Sequence, residues 1–118
     1  MSTHVIVVED EAELLEMLRH VLEEEGFAVT GFERPDLPGI IESQSPELFL
    51  IDLMLPGLDG IQLAALLRSK GFSESPMIGI SASSIELRRA SKSSLFQEVL
   101  PKPFDLSELV GCMKRHAY

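Results

Sequence analysis

Glu9, Asp10, Asp52, Ser81 and Lys102 are the side chains whose types could do chemistry together. Each stands at or just beyond the end of a short apolar run: Val5 to Val8, Leu48 to Ile51, Met77 to Ile80, and Leu95 to Leu100. Three carboxylates brought close repel one another, and their pKa values rise unless a cation offsets the charge. Hard oxygen donors with open water positions suit Mg²⁺, with Mn²⁺ as an alternative, and the sequence shows no His/Cys ligand cluster for zinc. Lys102 adds a mobile positive charge and Ser81 a hydroxyl donor. Such a set fits phosphoryl transfer, which needs an in-line nucleophile and positive charge around the equatorial oxygens. Asp52 could be that nucleophile, since a carboxylate can form an aspartyl phosphate. It could also be a metal ligand or a loop cap, but a cap leaves the other four groups at the same edge unexplained.

The elements that must bring these groups together can be read from the pattern. Leu48 to Ile51 is an unbroken apolar run, the mark of a strand buried on both faces of a parallel sheet. Pro56, Gly57 and Gly60 after Asp52 read as loop. Val5 to Val8 is a second such strand. A helix follows with Leu14, Leu15, Leu18, Val21 and Leu22 on one face, stopped by Gly26. Phe27 to Phe32 reads as the next strand, which completes a βαβ unit. Asp36 is placed to cap a short helix carrying Leu37, Ile40 and Ile41, and Ser45 to Glu47 leads into the central strand. Ile61 to Lys70 predicts a helix with Ile61, Ala64, Ala65 and Leu67 inward, closed by Gly71. Ile85 to Ser94 predicts a polar helix with a thin stripe of Ile85, Leu87 and Ala90. Leu95 to Leu100 predicts an edge strand, broken by Pro101 to Pro103. Asp105 and Glu108 have capping-box spacing before a last helix with Leu106, Leu109, Val110 and Met113 inward. Alternating strands and helices of this length give an α/β fold: a doubly wound, five-stranded parallel sheet of order 2-1-3-4-5, helices on both faces. Ligands bind beyond the carboxyl ends of strands in such sheets, which is where the five residues fall.

Composition narrows the function further. The 118 residues fit one domain, 1–118, and the hydrophobic content of 45% fits a packed core. A net charge of −9 repels phosphate backbones, so no direct nucleic-acid binding is expected. No apolar run approaches a membrane span, and the N-terminus has no export signal. The lone Cys112 excludes an internal disulfide and fits a reducing, cytoplasmic setting; among Leu109, Val110 and Met113 it reads as a small buried hydrophobe. His4, His20 and His116 read as surface or packing residues. Met17, Met77 and Met113 read as core filling, and Arg88 and Arg89 as a solvated helix face.

Four motifs in order, Ile6-Val-Val-Glu-Asp10, Asp52-Leu-Met-Leu-Pro-Gly-Leu-Asp-Gly60, Ser81-Ala82 and Lys102-Pro103-Phe104, carry a family resemblance. Together they resemble the response-regulator receiver domain, the phospho-accepting partner of sensor histidine kinases. The resemblance runs the length of the chain. It implies that Asp52 takes a phosphoryl group from the phosphohistidine of a kinase or histidine phosphotransfer protein, and that no separate substrate is turned over. It further implies that Asp10 and Asp52 bind Mg²⁺ through carboxylates, Met54 through its backbone carbonyl and Glu9 through water. Ser81 and Lys102 would bind the phosphoryl oxygens, Ser81, Ala82, Val99 and Pro103 would form the switch region, and Lys102–Pro103 would be a cis peptide. A monomer or weak phosphorylation-dependent dimer, acting through a downstream protein, is the implied state. Either a stand-alone regulator or part of a larger regulator or hybrid kinase would fit.

Two positions depart from the family pattern. Val99 stands three before the lysine, where the family usually has an aromatic ring that swings inward. Leu95-Phe96 replaces the usual Gly-Ala before the fifth strand. Motion of Ser81 is therefore expected to shift the region from Ser83 to Ser94 without a ring switch. A phosphorylation-independent binding module is the alternative that Val99 favours. A dehalogenase-like phosphatase is disfavoured by Met54, which stands where that family has a second Asp.

Overall fold

A computed structural model describes residues 2–43 and 46–117 of the chain. In order the elements are β1 (His4–Val8), α1 (Ala12–Glu24), β2 (Ala28–Phe32), α2 (Leu37–Glu42), β3 (Leu48–Asp52), α3 (Gly60–Ser69), β4 (Met77–Ser81), α4 (Ser84–Lys92), β5 (Glu98–Pro101) and α5 (Leu106–Ala117). The five strands form one sheet of order β2-β1-β3-β4-β5, every neighbouring pair parallel. This is the architecture the alternating pattern predicts. The expected lead-in at Ser45 lies outside the described residues.

Strand alternation divides the apolar runs between two cores. Val5, Val7, Leu48, Leu50, Ile78 and Ile80 face one side, against Leu15, Leu18 and Leu22 of α1 and Leu109, Cys112 and Met113 of α5. Ile6, Val8, Phe49, Ile51 and Met77 face the other, against Ile40 of α2 and Leu63, Ala64 and Leu67 of α3. Both faces are covered, which is why the central strands read as continuous apolar runs. Each fully buried side chain contributes roughly 1.5–3 kcal/mol relative to exposure.

Side-chain caps start α2, α3 and α4, and glycine turns follow α1 and α3. Asp36 accepts from Gly39 N–H at 3.1 Å and starts α2. Asp59 and Gln62 form a reciprocal capping box at α3. Gly26 and Gly71 follow α1 and α3 with φ of +96° and +110°, the left-handed turn that glycine adopts without strain. The box expected at α5 is half made: the Glu108 carboxylate accepts from Asp105 N–H at 3.4 Å.

Several helix positions differ from the periodic reading. Ala65 is exposed and Leu63 takes the inward place; on α5 Leu106 is exposed and Val110 is half-buried, while Cys112 is buried as expected. On α3 a one-residue error in phasing, about 100° of rotation, accounts for the swap; on α5 Leu109 and Met113 are buried as predicted, so only the flanking positions differ. Met17 is 41% exposed, because it borders a surface recess rather than a core. Ile85, expected inward on α4, is 71% exposed, while Ala90 is buried.

β5 begins at Glu98, three residues later than its apolar run suggests. Ser94 has a φ of +64°, and Leu95 N–H is held by Ser93 Oγ at 3.2 Å. The Leu95 carbonyl accepts from the Arg68 guanidinium at 2.6 Å. That guanidinium also binds the carbonyls of Phe72, Ser73 and Ser75. With its backbone groups spent on loop contacts, Leu95 cannot join the ladder.

Gly60 starts α3 directly behind the carboxyl end of β3, and its N–H donates to Leu53 O at 2.9 Å. A Cβ there would lie 2.7 Å from Leu53 Cα and 3.0 Å from the Asp52 carbonyl carbon. Backbone cannot yield as a side chain can. Gly60→Ala is therefore expected to cost about 1–3 kcal/mol in urea unfolding, and an unchanged midpoint would refute the tight fit.

Candidate functional site

The ends of β1, β3 and β4 and the chain after β5 converge on one edge of the sheet. Glu9 follows β1 and is fully buried. Its N–H extends the ladder to Phe32 O at 3.0 Å, which fixes the side chain inward. One carboxylate oxygen accepts from Glu11 N–H at 3.1 Å and the other from Lys102 Nζ at 2.9 Å. Asp52 closes β3 and is 4% exposed. Its Oδ1 accepts from Met54 N–H at 2.9 Å and its Oδ2 from Lys102 Nζ at 3.0 Å. Lys102 thus reaches back from the end of β5 to bridge carboxylates 93 and 50 residues away in sequence.

Electrostatics here are poised. Burial pushes the Glu9 carboxyl up to about 7, against the opposing pull of Lys102 and the Glu11 amide; the nearby Asp52 charge adds to the rise. Burial disfavours the Lys102 ammonium, but its bonds to Glu9 and Asp52 outweigh that and hold its pKa above the usual lysine value. Once Glu9 ionises, one ammonium between two buried carboxylates leaves an uncompensated negative charge. Exposed Asp10 adds another at the rim.

Carboxylate oxygens of Glu9, Asp10 and Asp52 lie within 4.8 Å of one another. All the donors are hard oxygens, and an excess of negative charge faces a cleft of about 470 Å³ bordered by Asp10, Met54, Asp59, Glu86 and Arg89. That chemistry fits a Mg²⁺-sized hard cation. The Met54 side chain is exposed, and its N–H holds Asp52.

Ser81 is buried at the end of β4, and its carbonyl accepts from Lys102 N–H at 2.8 Å, which sets the two residues side by side. Its Oγ accepts from Ser83 N–H at 3.0 Å. Ser83 in turn caps α4 by accepting from Glu86 N–H at 3.2 Å. Ala82 and Pro103 border an apolar recess of about 310 Å³ with Leu14, Met17 and Phe104. The Lys102–Pro103 bond is cis. Val99 is half-buried and pairs with Gly79 across β4 and β5.

All the sequence-predicted site residues therefore meet at this edge except Val99, which sits in the adjoining ladder. Glu86 and Arg89, bonded to each other at 2.9 Å, border the cleft as well. Sequence reasoning placed Arg89 on a solvated face; it is exposed, and its ion pair with Glu86 gave no local signal of the cleft.

The model of the response regulator receiver domain matches residues 5–114. Response regulator MprA of Mycobacterium bovis is 34% identical over 119 residues, covering 97% of this chain and 50% of that protein. Transcriptional regulatory protein CseB of Streptomyces coelicolor is 36% identical over 113 residues, covering 93% and 47%. The chain spans about half the length of these curated relatives. Among solved structures, the receiver domain of Francisella response regulator 1452 superposes with a TM-score of 0.87 at 27% identity, covering 98% of this chain and 97% of that one. Response regulator TrrA of Thermotoga maritima, in complex with Mg²⁺-BeF, gives 0.85 at 28% identity, covering 98% of each. On the family match over nearly its whole length, this chain belongs to the response regulator receiver domains.

Proposed function

We propose that Asp52 is the phospho-acceptor of this receiver domain, charged in a Mg²⁺-dependent reaction by the phosphohistidine of a histidine kinase or histidine phosphotransfer protein. The observation that carries the reading is the Lys102 ammonium held between Glu9 and Asp52, beside Asp10. An Asp52 oxygen attacks phosphorus, the P–N bond breaks, and its electron pair leaves on the imidazole nitrogen. Met54 N–H holds the carboxylate plane throughout. Lys102, freed from Asp52 as that charge moves outward, follows the phosphoryl oxygens, and the Ser81 hydroxyl donates to one of them. Asp10, Asp52, the Met54 carbonyl and, through water, Glu9 would hold Mg²⁺, which when bound supplies the positive charge that phosphoryl transfer requires. The altered edge then changes what the domain binds. Mg²⁺ held by TrrA supports the same metal here.

Mg²⁺ with beryllofluoride is expected to raise the melting temperature by mass action on the folded state. The gain is about 2.7 kcal/mol at a hundredfold excess over the dissociation constant. Asp10→Asn should lose most of that rise. Equal rises in both proteins would remove Asp10 from the site.

A further inference from the structure

Away from the phospho-acceptor edge, a second set of donors converges between β5 and α5. Cys112 and His116 lie four residues apart on one face of α5, a spacing that stacks two side chains on adjacent turns. Glu98 opens β5 against them. His116 Nε2 stands 2.9 Å from Glu98 Oε1, and the Cys112 thiol donates to the same carboxylate. One sulfur, one ring nitrogen and one carboxylate oxygen fall within 4.8 Å of one another. The sulfur end is buried, whereas the His116 and Glu98 side chains keep 24% and 31% of their surface open to solvent.

We propose that Glu98, Cys112 and His116 form a zinc site with three protein ligands and a fourth position open to water or an added ligand. It runs against the expectation that the chain has no His/Cys set for zinc. Tetrahedral Zn²⁺, with bonds of about 2.0–2.3 Å, places its ligand atoms roughly 3.3–3.6 Å apart, so small rotamer changes close the observed trio around an ion. A thiolate and an imidazole select a borderline metal over Mg²⁺ or Ca²⁺. Burial, then the Glu98 charge, push the free thiol up to about 12, so the metal-free site keeps its S–H. Zinc binding forms the Zn–S bond, breaks the S–H bond and releases that proton to solvent. Thiolate and carboxylate together neutralise the ion. Arg115, bonded to Glu98 Oε2 at 2.8 Å, can stay on that oxygen and orient the carboxylate while Oε1 turns to the metal. The site shares no residue with the acidic edge and does not depend on phosphorylation.

Cobalt titration tests it, with millimolar Mg²⁺ present to fill the acidic edge. Co²⁺ is expected to bring up a thiolate charge-transfer band that saturates at one equivalent and is bleached by Zn²⁺. Cys112→Ser should show no band. His116→Gln and Glu98→Gln should bind at least about tenfold more weakly, since even an outer-shell change commonly costs that much. No band in the wild-type protein, a band that survives Cys112→Ser, or failure of Zn²⁺ to bleach it overturns the assignment. If Cys112→Ser does not fold, the two Gln variants decide, and wild-type affinity in both overturns it.

Discussion

Incubated with Mg²⁺ and acetyl phosphate, the wild-type protein should gain one phosphoryl group in intact mass, and Asp52→Asn should gain none. In this reaction the Asp52 carboxylate attacks phosphorus and acetate leaves with the electrons of the broken P–O bond. Asn matches the shape of Asp and keeps an oxygen for Met54 N–H, so folding is expected to survive. It removes the nucleophilic charge and one of the two partners of the Lys102 ammonium. The loss should be complete rather than graded, because no other described carboxylate shares this position: Glu9 is fully buried behind Lys102 and Asp10 lies at the rim. An adduct on the variant would move the acceptor elsewhere. A folded wild-type protein with no adduct, unable to bind beryllofluoride, would leave a phosphorylation-independent binding module.

The second large effect concerns pH. Glu9 is raised from 4.5 to about 7 in the fold, chiefly by burial. Between those values the folded state holds a proton that the unfolded chain has released. Its contribution to stability is therefore full below the ordinary glutamate pKa and lost as pH rises through about 7. At 1.36 kcal/mol per unit, the loss is about 3 kcal/mol in metal-free protein. Urea unfolding in chelator at about pH 5 and about pH 8 should show it, and Glu9→Gln should remove that part of the difference. Parallel pH profiles for the two proteins would refute the shift. Mg²⁺ favours the ionised carboxylate, so it should offset the loss more at the higher pH.

Most of the fold was legible because buried parallel strands leave unmistakable apolar runs, and here each central run ends in a chemical group. Glu9, Asp52, Ser81 and Lys102 were found by position alone: strand ends on one edge must meet. The departures have separate physical causes. Ala65 was assigned by helical phase, which a one-residue slip reverses; Leu106 opens α5, where the phase is right but the residue lies at the exposed end. The start of β5 was hidden because Arg68, far off in sequence, claims the Leu95 carbonyl. Glu98, Cys112 and His116 escaped notice since only the pair on α5 is local; the third member arrives from a strand with no motif of its own.

A short hydrogen-bonded line runs from Ser81 Oγ through Ser83 to Glu86 and Arg89, and on the proposed function it would carry a change at Asp52 to α4 without a swinging ring. A hydroxyl has one proton to give and two lone pairs to offer. Ser81 already spends a lone pair on Ser83 N–H, and its proton has no acceptor among the described residues. It can therefore grip a phosphoryl oxygen without letting go of the helix cap. On the proposed function, any displacement toward a phosphoryl group would become tension on the first turn of α4, transmitted by traction along a tether.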